Sequence, residues 1–223
     1  MTSRKSEASA EALTAYRRKR DFAKTAEPSG AGKAGGRRHA AGGRPSFVVQ
    51  IHDATTTHFD FRLEADGVLK SWAVPKGPSR DPQEKRLAMP TEDHPLSYRT
   101  FEGVIAEGGY GAGTVIVWDE GTYRNETTGR DGSELPMAEA LRRGHASFWM
   151  DGRKLHGGYA LTRIREGRDE AWVLVKRKDK HAAAAHGTPD PLRARSALTG
   201  RTLRQVARQE AAAESGRPGP ASG

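Results

Sequence analysis

The chain contains no cysteine, so it has no disulfide framework and no thiolate metal site; any metal must be held by imidazole and carboxylate groups. Apolar residues make up 35% of the 223 positions and aromatic residues 7%, which fits one core with polar ends rather than two domains. No apolar run approaches membrane-spanning length, and Met1-Thr2-Ser3-Arg4-Lys5 opens no stretch of signal-peptide type. The expected protein is soluble and cytoplasmic, in keeping with the missing cysteine. With no heptad seam or bare apolar helix, a monomer is expected.

Charge is plentiful and unevenly placed. Of a net +9, residues 1–44 contribute +7, residues 45–180 contribute −1 and residues 181–223 contribute +3. Basic ends around a nearly neutral middle fit either solvated tails or arms that attract a polyanion. Residues 1–15 and 181–223 are expected to be disordered tails around a domain over 16–180. A short helix is expected from Glu11 to Lys24, and residues 29–44, rich in Gly and basic residues, read as a mobile linker. A short helix near Leu203 to Ala213 would lie in the last tail, outside the fold.

From Phe47 the pattern turns to strands: Phe47 to His52, His58 to Glu64 and, after the hairpin signal Asp66-Gly67, Val68 to Val74. Further strands are expected at Arg86–Met89, Phe101–Ile105, Thr114–Trp118, Ala146–Met150, Tyr159–Arg165 and Ala171–Lys176. A helix is expected at Glu134–Arg143, capped by Gly144. Many short strands with few helices predict a mainly β fold, a small antiparallel barrel or sandwich.

Side chains in a strand alternate, so His58, Asp60 and Arg62 share one surface while Phe59, Phe61 and Leu63 share the other; Gln50 and His52 alternate likewise with Val49 and Ile51. His52, His58 and Asp60 form a plausible ligand set for an octahedral or five-coordinate divalent metal, and Arg62 is placed to clamp an anion beside it. The same residues fit the wet face of an amphipathic sheet, or the facial triad of a non-haem iron oxygenase. His94, in the loop signal Glu92-Asp93-His94-Pro95, could serve as phosphate ligand or general acid. Lys76 and Arg86 add cations near strand ends. The Gly108 to Gly113 run lacks the Lys-Ser/Thr of a P-loop and precedes a strand, so it reads as a turn.

The stretch from Gln50 to Glu64, Lys70-Ser71-Trp72-Ala73-Val74-Pro75-Lys76-Gly77-Pro78, Glu92-Asp93-His94-Pro95 and Tyr110-Gly111-Ala112-Gly113-Thr114 together resemble the 3′-phosphoesterase domain of bacterial DNA ligase D. The resemblance reaches back to Lys19-Arg20-Asp21-Phe22 and forward to Trp172-Val173-Leu174-Val175-Lys176. It implies a small β-barrel enzyme that uses manganese to trim 3′ ends of a primer strand, removing a terminal ribonucleoside and then the 3′-phosphate to leave a 3′-OH for end joining. On that resemblance His52, His58 and Asp60 are the manganese ligands. Arg62, Arg86 and His94 bind or activate the phosphate, Tyr98 and Gln50 line the site, and Arg20, Asp21 and Glu27 form an essential N-terminal segment. It implies a DNA or RNA-tailed primer–template as substrate, with a ligase and a polymerase acting in trans. The family often carries a basic residue where Ile51 stands and a larger or basic one near Thr57, departures that bear on substrate affinity. A nonenzymatic nucleic-acid-binding module with a structural or vestigial metal site is the alternative reading.

Overall fold

The computed structural model describes residues 9–30, 43–183 and 188–215. Most of the expected 29–44 linker, the first eight residues of the N-terminal tail, and 184–187 and 216–223 of the C-terminal one lie outside the described residues. Among the described residues ten strands form: β1 (Ser46–Asp53), β2 (Thr57–Ala65), β3 (Val68–Val74), β4 (Lys85–Pro90), β5 (His94–Pro95), β6 (Gly103–Ile105), β7 (Gly113–Asn125), β8 (His145–Gly152), β9 (His156–Arg165) and β10 (Ala171–Lys176). Eight of them pair antiparallel in the order β1-β2-β3-β4-β10-β9-β8-β7, and β7 returns onto β1 to close the expected barrel. The short β5 pairs with β3, and β6 adds to β7.

Closure follows from the alternation. Phe47, Val49 and Ile51 of β1 and Phe59, Phe61 and Leu63 of β2 turn to one side, where they join Trp72, Trp118, Phe148, Leu161 and Trp172 in a single buried cluster. Aromatic pairs fill it: Phe59 meets Trp118 edge-on at 5.4 Å and Trp72 meets Trp172 at 5.8 Å between ring centroids. The β2–β3 hairpin turns on Asp66 (φ 51°) and Gly67 (φ 78°), the left-handed pair that a two-residue hairpin requires. Ile51, where this chain departs from the family, is fully buried inside the barrel. Thr57 donates from Oγ1 to Asp53 Oδ1 across the β1–β2 turn at 2.6 Å.

The outward face of β1, β3 and β7 is not wet. Val48, Leu69, Val115 and Val117 pack under Leu13, Tyr16, Tyr98, Phe101 and Ile105, which come from the N-terminal segment, the 3-10 turn Leu96–Thr100 and β6. The N-terminal helix does not reach Lys24 as expected: helical residues run over 9–12 and then α1, Thr14–Arg18, which ends where the Lys19 N–H bonds Arg17 O. Residues 1–15 are not wholly a free tail, since Leu13 is buried and Ser9 Oγ donates to Gly67 O.

The second helix, α2, runs over Met137–Arg142 rather than from Glu134, because Pro136 holds an extended ψ of 140° immediately before it; Gly144 caps its end at φ 84°. The expectation of a free C-terminal tail is corrected as well. α3 spans Leu203–Ser215, and Leu203, Val206 and Ala194 belong to the main buried cluster. Arg201 and Thr199 both donate to Glu102, tying this segment to the barrel. Leu203 and Val206 lie three residues apart, one face of a helix, but two apolar positions in an Ala- and Arg-rich stretch are a weak sequence signal.

Candidate active site

On the outward face of β1 and β2 the strand register sets His52 opposite His58 and Gln50 opposite Asp60, and on β3 it sets Ser71 opposite Arg62. β5 brings His94 opposite Leu69 on the same sheet. All of this lies beneath the second apolar layer, so the polar residues are buried: Gln50 is 0% exposed, Arg62 2%, His94 4%, Asp60 6% and His52 8%. A solvated sheet face is thereby excluded, because charges withdrawn this far from water persist only when paired. His94 is no loop residue, as the sequence implied, but a strand residue.

The two imidazoles and the carboxylate offer ligand atoms that all lie within 4.8 Å of one another. His58 Nδ1 lies 2.8 Å from Thr56 O and His52 Nε2 lies 2.8 Å from Gly111 O. A ring nitrogen facing a carbonyl carries the proton, which leaves lone pairs on His58 Nε2 and His52 Nδ1. These are the atoms that face Asp60, each 3.8 Å from one of its two oxygens. Imidazoles held by backbone carbonyls on the far side are the usual second layer of a metal site, so the donor set fits a divalent transition metal. Burial holds His52 below the ordinary imidazole range, against the pull of Asp60, so the ring is neutral and able to ligate.

Arg62 is fixed from four directions. Its Nε donates to Gln50 Oε1 at 2.9 Å, Nη1 to Ser71 Oγ at 2.8 Å, and Nη2 to Asp60 Oδ2 at 3.0 Å, while Nη1 also lies 2.9 Å from His94 Nδ1. Three of the five guanidinium hydrogens are committed to Gln50, Ser71 and Asp60, which leaves N–H groups for a further acceptor. Gln50 in turn donates to Tyr98 O and Phe101 O, so it positions Arg62 and does not itself line the cavity.

His94 sits between two cations, with Arg20 Nη2 3.5 Å from its Nε2. Burial first, then the charges of Arg62 and Arg20, hold it well below the usual imidazole range, so the resting ring is neutral. Its Nδ1 also lies 2.8 Å from Glu92 O, and whichever neighbour that nitrogen engages, the ring carries a single proton.

The N-terminal segment completes the wall. Arg20 donates to Glu27 and to Glu92 and stacks over the Tyr16 ring, 3.8 Å from its centroid. Tyr98 donates its hydroxyl to Glu27 at 3.0 Å; burial and then the Glu27 charge raise its phenol well above the ordinary value, which keeps that proton in place. Together His52, His58, Asp60, Arg62, His94, Arg20 and Tyr98 line one cavity of about 280 Å³. Two neutral imidazoles, a carboxylate and two buried guanidiniums suit a metal bound beside a small polyanion.

A profile of the DNA Ligase D 3′-phosphoesterase domain matches residues 50–163. The chain is 50% identical over 175 residues to the multifunctional non-homologous end joining protein LigD of Pseudomonas aeruginosa, covering 78% of this chain and 19% of that protein. It is 42% identical over 194 residues to the multifunctional non-homologous end joining DNA repair protein LigD of Mycobacterium tuberculosis, covering 83% of this chain and 24% of that one. The chain belongs to the DNA ligase D 3′-phosphoesterase domain family. It spans only about a fifth to a quarter of the length of these relatives.

Not every residue that the ligase D resemblance singled out reaches the cavity. Arg86, on β4, points with Ala88 and Leu174 toward the barrel interior, pairs with Glu84 and lies outside it. Asp21 is exposed, binds Lys24 at 3.2 Å, and lines a neighbouring cavity together with Glu27. Lys76 is exposed in the turn after β3. Conversely, Ser71, Glu92 and the Gly111 carbonyl, to which the resemblance assigned no role, bond residues that line the cavity. Ser71 is buried against Arg62, and Glu92 binds Lys19 and Arg20 at 3.0 Å each. Burial opposes ionisation of Glu92, but the bonds from Lys19 and Arg20 prevail and hold its carboxyl below the ordinary value. Ser71 was legible as a polar residue on the functional face of β3, whereas a backbone carbonyl leaves no trace in sequence.

The glycine run contributes by close approach. At Gly113 (φ 145°) a Cβ would lie 2.2 Å from Asp53 O, so only glycine lets this turn press against the end of β1 and bring Gly111 O onto His52. Among the described residues no helix is long and apolar enough to cross a membrane.

Proposed function

We propose that this chain is a manganese-dependent phosphoesterase that heals DNA 3′ ends, removing a terminal ribonucleoside and a 3′-phosphate from a primer strand to leave a 3′-OH for end joining. The observation that carries the reading is the cavity that Arg62, Arg20 and neutral His94 line together with His52, His58 and Asp60.

His52 Nδ1, His58 Nε2 and Asp60 would hold the metal, which when bound supplies Lewis-acid polarisation of a phosphoryl oxygen and lowers the pKa of water. The protein's own residues do the rest. An uncommitted N–H of Arg62, backed by Gln50, Ser71 and Asp60, binds a phosphoryl oxygen with its direction already fixed, so little ordering remains when charge develops. Arg20, held by Glu27 and Glu92, adds the second cation. Burial is the main cause that depresses His94 and the guanidinium charges come second; a phosphate dianion entering between the two guanidiniums offsets those charges and so favours a proton on His94 beside the leaving oxygen. For the ribonucleoside step, the terminal 2′-OH is the group that marks the substrate. Glu27 and Tyr98 act by holding Arg20, Gln50 by holding Arg62, and Arg86 and Asp21 act from outside the metal cavity.

The partners in this proposal are a primer–template, DNA or RNA-tailed, and a ligase and polymerase of end joining, with the protein working as a monomer in the bacterial cytoplasm. An oxygenase would need its open metal positions for oxygen and a co-substrate; two guanidiniums facing the same cavity favour phosphate instead. The test is conversion of primer–templates ending in one 3′-ribonucleotide or in a 3′-phosphate, with manganese or chelator, by the wild type and His52→Ala. Manganese-dependent formation of 3′-OH, absent in the variant, is expected. Duplex binding without conversion of either end would overturn the reading in favour of a binding module.

A further inference from the structure

A second cavity of about 370 Å³ adjoins the metal cavity and shares Arg20, Ile105 and Tyr110 with it as a common wall. Its size is that of a small-molecule site. Its charges balance, with Lys19, Arg20 and Lys24 against Asp21, Glu27 and Glu107, so it offers a phosphate no net attraction. What it offers is a flat ring, that of Tyr110, in a lining that also includes apolar Ile105 and Ala106 and the glycines 108 and 109, which carry no side chains.

Tyr110 is 50% exposed at the boundary between the two cavities, unusual for so large an apolar ring in this chain. It is also held in place. Lys19 Nζ lies 3.0 Å from its hydroxyl and 4.3 Å from its ring centroid, and the Arg20 guanidinium lies 5.6 Å from that centroid. Lys19 and Arg20 are themselves anchored on Glu92, so the orientation of the ring is coupled to the cation that lines the metal cavity. A half-exposed aromatic ring, pre-oriented by cations lying over it, in a charge-balanced slot, matches a neutral planar ligand on its exposed side.

We propose that this second cavity receives the nucleobase of the strand's terminal nucleotide, with Tyr110 as its stacking surface. The proposal rests on the phosphoesterase reading, which puts the terminal phosphate in the adjoining cavity one sugar away. Stacking accepts every base, so the site would fix the strand end without reading sequence, while Lys19, Thr25 and Lys24 meet the polar edges.

The experiment uses the full chain and 3′-phosphorylated primer–templates whose last nucleotide is either normal or abasic. Binding is measured in chelator by fluorescence anisotropy, and turnover separately with manganese. The wild type is expected to bind the normal end about 5- to 150-fold more tightly than the abasic end, the range base–aromatic stacking supports. Tyr110→Ala is expected to bring that ratio close to unity, and Tyr110→Phe, which keeps the ring, to retain it. Equal ratios in wild type and Tyr110→Ala, or no discrimination by the wild type, would overturn the subsite. Base-dependent binding without turnover of either end would support the subsite and overturn the phosphoesterase reading alone.

Discussion

Replacing Gln50 by Leu separates what binds from what positions. Gln50 is fully buried and makes three hydrogen bonds: it accepts from Arg62 Nε at 2.9 Å and donates to Tyr98 O at 3.2 Å and Phe101 O at 3.0 Å. Leu is similar in size, so the cost is polar rather than a cavity. Each lost bond is worth about 1 kcal/mol net, and a buried group left unpaired costs about 1–3 kcal/mol; with partial relaxation the variant should lose about 3–5 kcal/mol, a large part of an ordinary domain's stability. Arg62 keeps its contacts with Ser71, Asp60 and His94 but loses the one that fixes its plane, so turnover should fall about 10-fold, equivalent to about 1.4 kcal/mol of transition-state stabilisation. Metal affinity should change little, because the Gln50 side chain makes no hydrogen bond to any of the three ligands and Arg62 keeps its bond to Asp60. Gln50→Glu restores the acceptor for Arg62 without the two donors, so it should recover turnover more than stability. Urea unfolding, manganese titration calorimetry and the 3′-end assay give the three readouts. A Gln50→Leu protein within 0.5 kcal/mol of wild type with unaltered turnover would refute the positioning role.

Three further outcomes are expected. His94 has a folded pKa well below its unfolded value of 6.5, so between the two values the unfolded chain binds the extra proton and stability falls as pH drops below about 6.5. The slope is at most about 1.4 kcal/mol per pH unit, and His94→Asn should reduce it in urea unfolding measured from pH 7 to 5; an unchanged slope would show that His94 is charged in the fold. Gly113→Ala should unfold or severely destabilise the protein, since its Cβ would meet Asp53 O at 2.2 Å, whereas Gly108→Ala, with nothing within 4 Å, should cost only about 1 kcal/mol of backbone strain; equal thermal shifts would contradict this. Leu203→Ala should cost about 2–5 kcal/mol by chemical denaturation, as expected for a core residue, and a neutral effect would return α3 to the status of a free tail.

How far the sequence reached differs from element to element. Period-two alternation through Phe47–His52 and His58–Glu64, with Asp66-Gly67 between β2 and β3, determined three strands, their hairpin and the sidedness of His58, Asp60 and Arg62, because side-chain direction in a strand is local geometry. The absence of cysteine limited any metal ligands to imidazole and carboxylate. The sequence could not show that the polar face is buried. That depends on α1, the 3-10 turn and β6 arriving from distant positions to cover β1, β3 and β7, and it turns His94 from a loop residue into a neutral buried group between two guanidiniums. Nor could it show that Arg86 and Asp21 point away from the cavity, that Gln50 acts through Arg62, or that Gly111 O orients His52. Alternation and turn chemistry are written in neighbouring residues, whereas burial, hydrogen-bond partners and pKa shifts belong to groups brought together across tens of residues, and these only the tertiary structure decides.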